Sequence, residues 1–195
     1  MKKILLAAPL AIAMAIPMTA NSAFAASQTT AMATPVYAPI TVAEVEAAQQ
    51  AWGNALVSIA KEYESKGQSA AEKLAGRIID SAYGYNMGPV LFKPTLANGE
   101  QTFRTTRDGA LSYFVGGNSQ YANDSGFALK GWRSVEIKNA GILIAGNTAK
   151  SMGHVSMTDK DGKVTTVDKT WGYVRDGEGK LRIVLHHSSL PFGSN

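Results

Sequence analysis

Strand-forming segments crowd into the last third of the chain, at residues 132–138, 142–145, 154–158, 164–174 and 181–189. Short turns separate most of them: Asn139-Ala140-Gly141, Asp161-Gly162 and Asp176-Gly177-Glu178-Gly179. Strands joined so tightly form an antiparallel meander, and helices followed by a meander make an α+β domain.

The helices come first. Thr41-x-x-Glu44 is a capping box, so the first helix is predicted to begin at Thr41. Val45, Ala48, Trp52, Ala55, Ile59 and Tyr63 recur along one stripe, an ordinary core pattern, and Gly67 is a plausible stop. Ser69-x-x-Glu72 reads as a second capping box, opening a shorter helix through Leu74, Ile78 and Ala82 that ends at Gly84. Residues 85–106 are rich in turns. Val90-Leu91-Phe92 within them suits a short edge strand, because Pro94 has no N–H for a central one. Thr106 is placed to cap a third helix through Ala110, Leu111 and Phe114, closed by Gly116-Gly117, and residues 120–130 read as a loop. Helices laid across the hollow side of a strongly curved sheet give a cone, with a pocket between the two layers.

The N-terminus reads as a targeting segment. Met1-Lys2-Lys3 is positive, residues 4–20 are apolar and uncharged, and Ala23-Phe24-Ala25 is an A-x-A site. Residues 1–25 are therefore expected to be a secretory signal peptide rather than a membrane span, with Pro9 and Pro17 arguing against the latter. Residues 26–40 are expected to be a flexible lead-in, and residues 41–193 the folded domain. No second segment is long enough to cross a membrane. The expectation is an exported protein of the bacterial periplasm. Cleavage leaves 17 basic residues against 15 acidic ones, a balance too even for nucleic acid. With no cysteine, thiolate zinc sites and Cys nucleophiles are excluded.

Chemistry concentrates in the last strand. Alternation places Leu181, Ile183, Leu185, His187 and Ser189 on one face, and Arg182, Val184, His186 and Ser188 on the other. The alternative is a fraying strand end with solvated side chains. His186 and His187 point apart, so they cannot share one metal ion within a chain. No H-E-x-x-H, phosphate loop, G-x-G-x-x-G or G-x-S-x-G occurs. Ser188 lies about 7 Å along the strand from His186, beyond direct hydrogen-bond reach at the backbone, which argues against a serine activated for acyl transfer. What remains is a cluster of hydroxyls with one imidazole, His186, expected to be the group there that titrates near neutrality.

Lys169-Thr170-Trp171-Gly172-Tyr173-Val174-Arg175, then the glycine turn, then Arg182-Ile183-Val184-Leu185-His186-His187-Ser188-Ser189-Leu190-Pro191-Phe192 resemble the C-terminal hallmark of iota-class carbonic anhydrases. These are relatives of the calcium/calmodulin-dependent kinase II association domain, within the NTF2-like cone folds. The resemblance continues through Phe92-Lys93-Pro94-Thr95, Leu111-Ser112-Tyr113-Phe114, Gly126-Phe127-Ala128 and the hairpin at 153–169, and covers most of residues 43–192.

It implies interconversion of carbon dioxide and bicarbonate in a pocket without metal. The matching positions are Thr95, Tyr113, His186 and Ser188. Thr95, Tyr113 and Ser188 would hold the water and the bicarbonate oxygens, while His186 orients a hydroxyl or relays the proton. No cofactor is implied, with zinc recruited between chains as the alternative. A non-catalytic NTF2-like binding or assembly module is the other alternative. A homodimer is implied too, in keeping with the second apolar face of the strands, and His187, on the face of Leu185 and Ile183, is assigned to the subunit contact. Trp132, Trp171 and Tyr173 are assigned to core or interface, Arg182 to an anion or an acid partner, and His154 to no role.

Overall fold

The computed structural model describes residues 38–193; the expected signal peptide and most of the lead-in lie outside them. Helix α1 (Val42–Lys66) starts where its capping box places it. The Glu44 N–H donates to Thr41 Oγ1 at 3.2 Å, and the Thr41 N–H donates to Glu44 Oε2 at 2.8 Å. Helix α2 (Gln68–Ala82) follows at once, because Gly67, at φ 79°, both ends α1 and opens α2. That backbone is open to glycine and strained for other residues. The second capping box does not form: the chain reverses in a single residue, so Ser69 already lies inside the first turn and α2 has no side-chain cap. Helix α3 (Arg107–Val115) is capped by Thr106, which accepts the Gly109 N–H at 3.2 Å, and it stops at Gly116. The buried face of α1 is Val45, Gln49, Trp52, Leu56, Ile59 and Ala60. Tyr63, expected on that stripe, is 38% exposed at its rim.

Five strands form one sheet: β1 (Leu91–Lys93), β2 (Trp132–Ala145), β3 (Thr148–Asp159), β4 (Val164–Arg175) and β5 (Leu181–Ser189), in the order β1-β5-β4-β3-β2. Strands β2 to β5 are the antiparallel meander, and β1 joins β5 in parallel at the edge. Asn139-Ala140-Gly141 is not a turn. Strand β2 runs straight through it, with Ala140 bulged out of register between Asn139 and Gly141. The bulge depends on Gly153 across the ladder, where a Cβ would lie 2.1 Å from the Lys138 carbonyl oxygen. Gln49 of α1 binds the bulge: its Nε2 donates to Asn139 Oδ1 and Ser151 Oγ at 2.9 Å each, and its Oε1 accepts from Asn139 Nδ2 at 2.8 Å. The loop expected at 120–130 contains the short helical turn Phe127–Leu129.

A second bulge corrects the reading of the last strand. Gly172 pairs with Leu185 but Tyr173 pairs with Ile183, so Val184 is the extra residue. Alternation resets there. Ile183, expected beside His187, is instead buried in the core with Tyr173. Arg182 also leaves the pocket. Its Nε donates to Asp176 Oδ2 at 2.6 Å and its Nη1 to the carbonyls of Asp80, at 3.1 Å, and Ser81 at the end of α2. An acid, not an anionic ligand, is its partner.

Trp52, Leu56 and Ile59 of α1, Ile79 of α2 and Phe114 of α3 share one core with Val155, Met157, Val167, Trp171 and Tyr173 of the sheet. Each large side chain so buried contributes about 1.5–3 kcal/mol. The α+β architecture is the one expected, with helices against one face of the meander.

Candidate active site

The site forms where β1 lies beside β5. Their register pairs Phe92 with His186 and Lys93 with His187. Side chains at paired positions share a face, and the Phe92 ring stacks on the His186 imidazole with centroids 4.5 Å apart. Immediately after β1, Thr95 donates from Oγ1 to Ser188 Oγ at 2.6 Å. Lys93 Nζ donates to the Ser188 carbonyl at 3.0 Å, tying the same strand end to β1. Tyr113 comes from α3, its ring stacked on Phe127 at 5.4 Å and set edge-on to Phe92 at 5.6 Å. The Tyr113 hydroxyl is buried without a hydrogen bond of good geometry, although Thr95 and the Leu96 backbone lie close by. Thr95, Tyr113, His186 and Ser188 all line one tight pocket.

The other two histidines lie elsewhere. His187 points to the exposed face of the sheet. His154 sits on that face too, with Nδ1 3.0 Å from Asp168 Oδ1. Among the described residues no three His, Asp or Glu side chains converge as metal ligands do.

The family model of metal-independent carbonic anhydrases matches residues 43–190. The chain belongs to that family. A metal-independent carbonic anhydrase of Nostoc sp. is 58% identical over 174 residues, 89% of this chain and 85% of its own length. The crystal structure of a cyanobacterial iota-carbonic anhydrase complexed with bicarbonate is 60% identical, covers 83% of this chain and 99% of its own, and superposes with a TM-score of 0.80. A putative calcium/calmodulin-dependent protein kinase II association domain from Xanthomonas campestris is 22% identical, covers 82% of this chain and 98% of its own, and has a TM-score of 0.52. That likeness concerns the fold alone. The zinc alternative and the non-catalytic alternative give way to a carbonic anhydrase that works without metal.

The carbonic anhydrase's cavity also holds residues that the sequence did not single out. Lys169 lies directly across the ladder from Ser188, on the inner face of β4. Its Nζ is 2.9 Å from His186 Nε2 and 4.6 Å from the centroid of the Trp52 ring. On the other side of the imidazole, Nδ1 is 2.8 Å from the Tyr83 hydroxyl, which accepts the Trp52 Nε1–H at 3.1 Å. With the imidazole hydrogen on Nδ1, Tyr83 accepts it and Nε2 accepts from Lys169; with the hydrogen on Nε2, both bonds reverse. Lys169 left a trace in the sequence, since it interrupts the apolar row Val167, Trp171 and Tyr173. Tyr83 left none. Its place depends on how the end of α2 docks on β5, through the Gly84 N–H donating to the Ile183 carbonyl at 2.9 Å.

The electrostatics also differ from expectation. Burial, then the nearby Lys169 and His187, hold His186 well below the usual imidazole range, so it stays neutral. Burial pushes the Lys169 amine down to about 7. The group that titrates near neutrality is therefore the lysine, not the histidine. Burial raises the Tyr113 phenol, which remains protonated at any ordinary pH.

Proposed function

We propose that this carbonic anhydrase hydrates carbon dioxide in the cavity between β1, β5 and α3, with Thr95, Tyr113, His186 and Ser188 as its working side chains. The observation that carries the assignment is the direction of the Thr95–Ser188 hydrogen bond. Thr95 spends its hydrogen on Ser188, so the Ser188 hydrogen is left for the cavity. The Tyr113 hydroxyl, with no well-formed protein partner, supplies a second donor. A buried polar group left unpaired costs about 1–3 kcal/mol, a cost that a bound oxyanion removes. The bicarbonate held by the cyanobacterial relative supports the same reading.

The chemistry follows from those donors. Carbon dioxide is apolar and finds the ring walls of Phe92 and Phe127. Water is polar and finds Ser188 and Thr95. Holding the two together removes much of the entropy cost of their encounter. As the oxygen–carbon bond forms, negative charge grows on a carbon dioxide oxygen, and the Ser188 and Tyr113 hydrogens bind it more tightly than they bind the neutral molecule. That difference is what lowers the barrier. His186, clamped by Phe92, braces Lys169 and Tyr83.

Ser188→Ala and Tyr113→Phe each remove one such donor. Stopped-flow hydration by chelator-treated protein should fall about 10²-fold or more in each, with unfolding midpoints near that of the parent. Folded variants that keep nearly full activity would defeat the assignment.

The proposal extends to place and assembly. Residues 1–25 direct export, and the enzyme works in the bacterial periplasm; mature protein beginning at Ala26 in a periplasmic fraction is the expected finding. The enzyme is a homodimer that pairs through the exposed face of the sheet.

A further inference from the structure

Lysine is almost never fully buried unless an acid accompanies it. Lys169 is 3% exposed, and among the described residues no carboxylate pairs with it. The polar groups that line the pocket with it are Thr95, Tyr113 of α3, and His186 and Ser188 of β5, with the Trp52 ring of α1 beside the amine and Tyr83 beyond the imidazole. On the opposite face of the sheet stand His187 and Lys93, paired across β5 and β1. Burial with no acid beside it favours the neutral amine, although the Trp52 and Trp171 rings 4.6 and 5.5 Å away offer an ammonium some attraction. A neutral amine has two N–H bonds and a lone pair. Donating one N–H to His186 Nε2 leaves the lone pair for the cavity.

Hydration needs such a lone pair. Each turnover releases one proton from a water held among hydroxyls far too weakly basic to take it, beside an imidazole whose nitrogens already face Tyr83 and Lys169. We propose that Lys169 is the base of this carbonic anhydrase, its neutral amine taking the proton that water releases as it adds to carbon dioxide. One water O–H bond breaks and one O–C bond forms. One C=O π bond becomes C–O⁻, and the proton ends on Nζ. Ammonium and bicarbonate arise together as an ion pair in one low-dielectric cavity, so neither charge stands alone. When bicarbonate leaves, the ammonium passes its proton to water or a buffer base, and dehydration runs the same steps backwards. The proposal rests on the cavity being the hydration site.

The test is Lys169→Met and Lys169→Arg in stopped-flow assays across pH, with ¹⁵N NMR of lysine-labelled parent protein. Hydration by the parent requires the neutral amine, so its rate rises with pH through about 7 and then levels. Lys169→Met loses about 10²-fold or more at pH 8, loses that inflection, and regains rate with added small amines. Lys169→Arg, with no lone pair to offer, does not restore it. In the parent one amine titrates near neutrality. A folded Lys169→Met that keeps the parental rate and inflection overturns the proposal. So does a parent in which every lysine stays ammonium through pH 9, a result that needs no variant to fold. Loss of activity in Ser188→Ala with none in Lys169→Met rejects the base alone; retained activity in both rejects the cavity.

Discussion

An amine held at about 7 instead of lysine's usual 10.5 weakens the fold in a pH-dependent way. Below pH 7 the native and unfolded chains both carry the proton, and folding bears the full cost of burying it. Between pH 7 and 10.5 the unfolded chain binds a proton that the native chain does not, so raising the pH favours the native state. The urea midpoint of the parent should therefore climb between pH 7.5 and 9.5, where that of Lys169→Met should not. Parallel slopes would show that the amine is not suppressed. The sequence held half of this information. Alternation along β4 sets Lys169 on one face with Trp171, a signal that went unread, and nothing in the sequence shows that burial would take His186 out of its usual range.

At the scale of elements, the segment that carries Thr95 is fixed by a buried ion pair. Arg104 Nη1 and Nη2 donate to Asp124 at 2.7 and 2.9 Å, and Ser112 Oγ donates to the same carboxylate at 2.7 Å. Ser112 precedes Tyr113 on α3, and the Arg104 N–H donates to the Phe92 carbonyl at 2.8 Å. One carboxylate thus positions both the Thr95 segment and the helix bearing Tyr113. Asp124→Asn leaves Arg104 buried with half its partner, and should cost about 3–5 kcal/mol, measured by denaturant unfolding; a cost within experimental error would mean the pair does not organise the segment. Elements with local signals were legible in the sequence: the Thr41 box, the Thr106 cap, the Gly67 stop, and β1 from Pro94. Bulges at Ala140 and Val184 were not. Each depends on the strand across the ladder, lying opposite Gly153 in the first case and at the step from Gly172 to Tyr173 in the second. His186 and Ser188 kept their shared face because both lie on one side of the bulge.

At the scale of the molecule, the two faces of the sheet have different tasks. The inner face carries core and cavity. The outer face leaves Leu91 61%, Leu143 64% and Met152 61% exposed, alongside His187. Apolar side chains so exposed on one face fit a subunit contact, and sedimentation should find a dimer that Leu143→Lys with Met152→Lys converts to a folded monomer. A parent that sediments as a monomer at micromolar concentration would refute the contact. The account as a whole turns on where the anion sits. A crystal structure of the protein with bicarbonate should show it against the hydroxyls of Thr95, Ser188 and Tyr113, within reach of Lys169. Bicarbonate bound instead in the surface cleft between α2 and α3, beside Arg77 and Arg107, with the cavity at His186 left without it, would contradict the account.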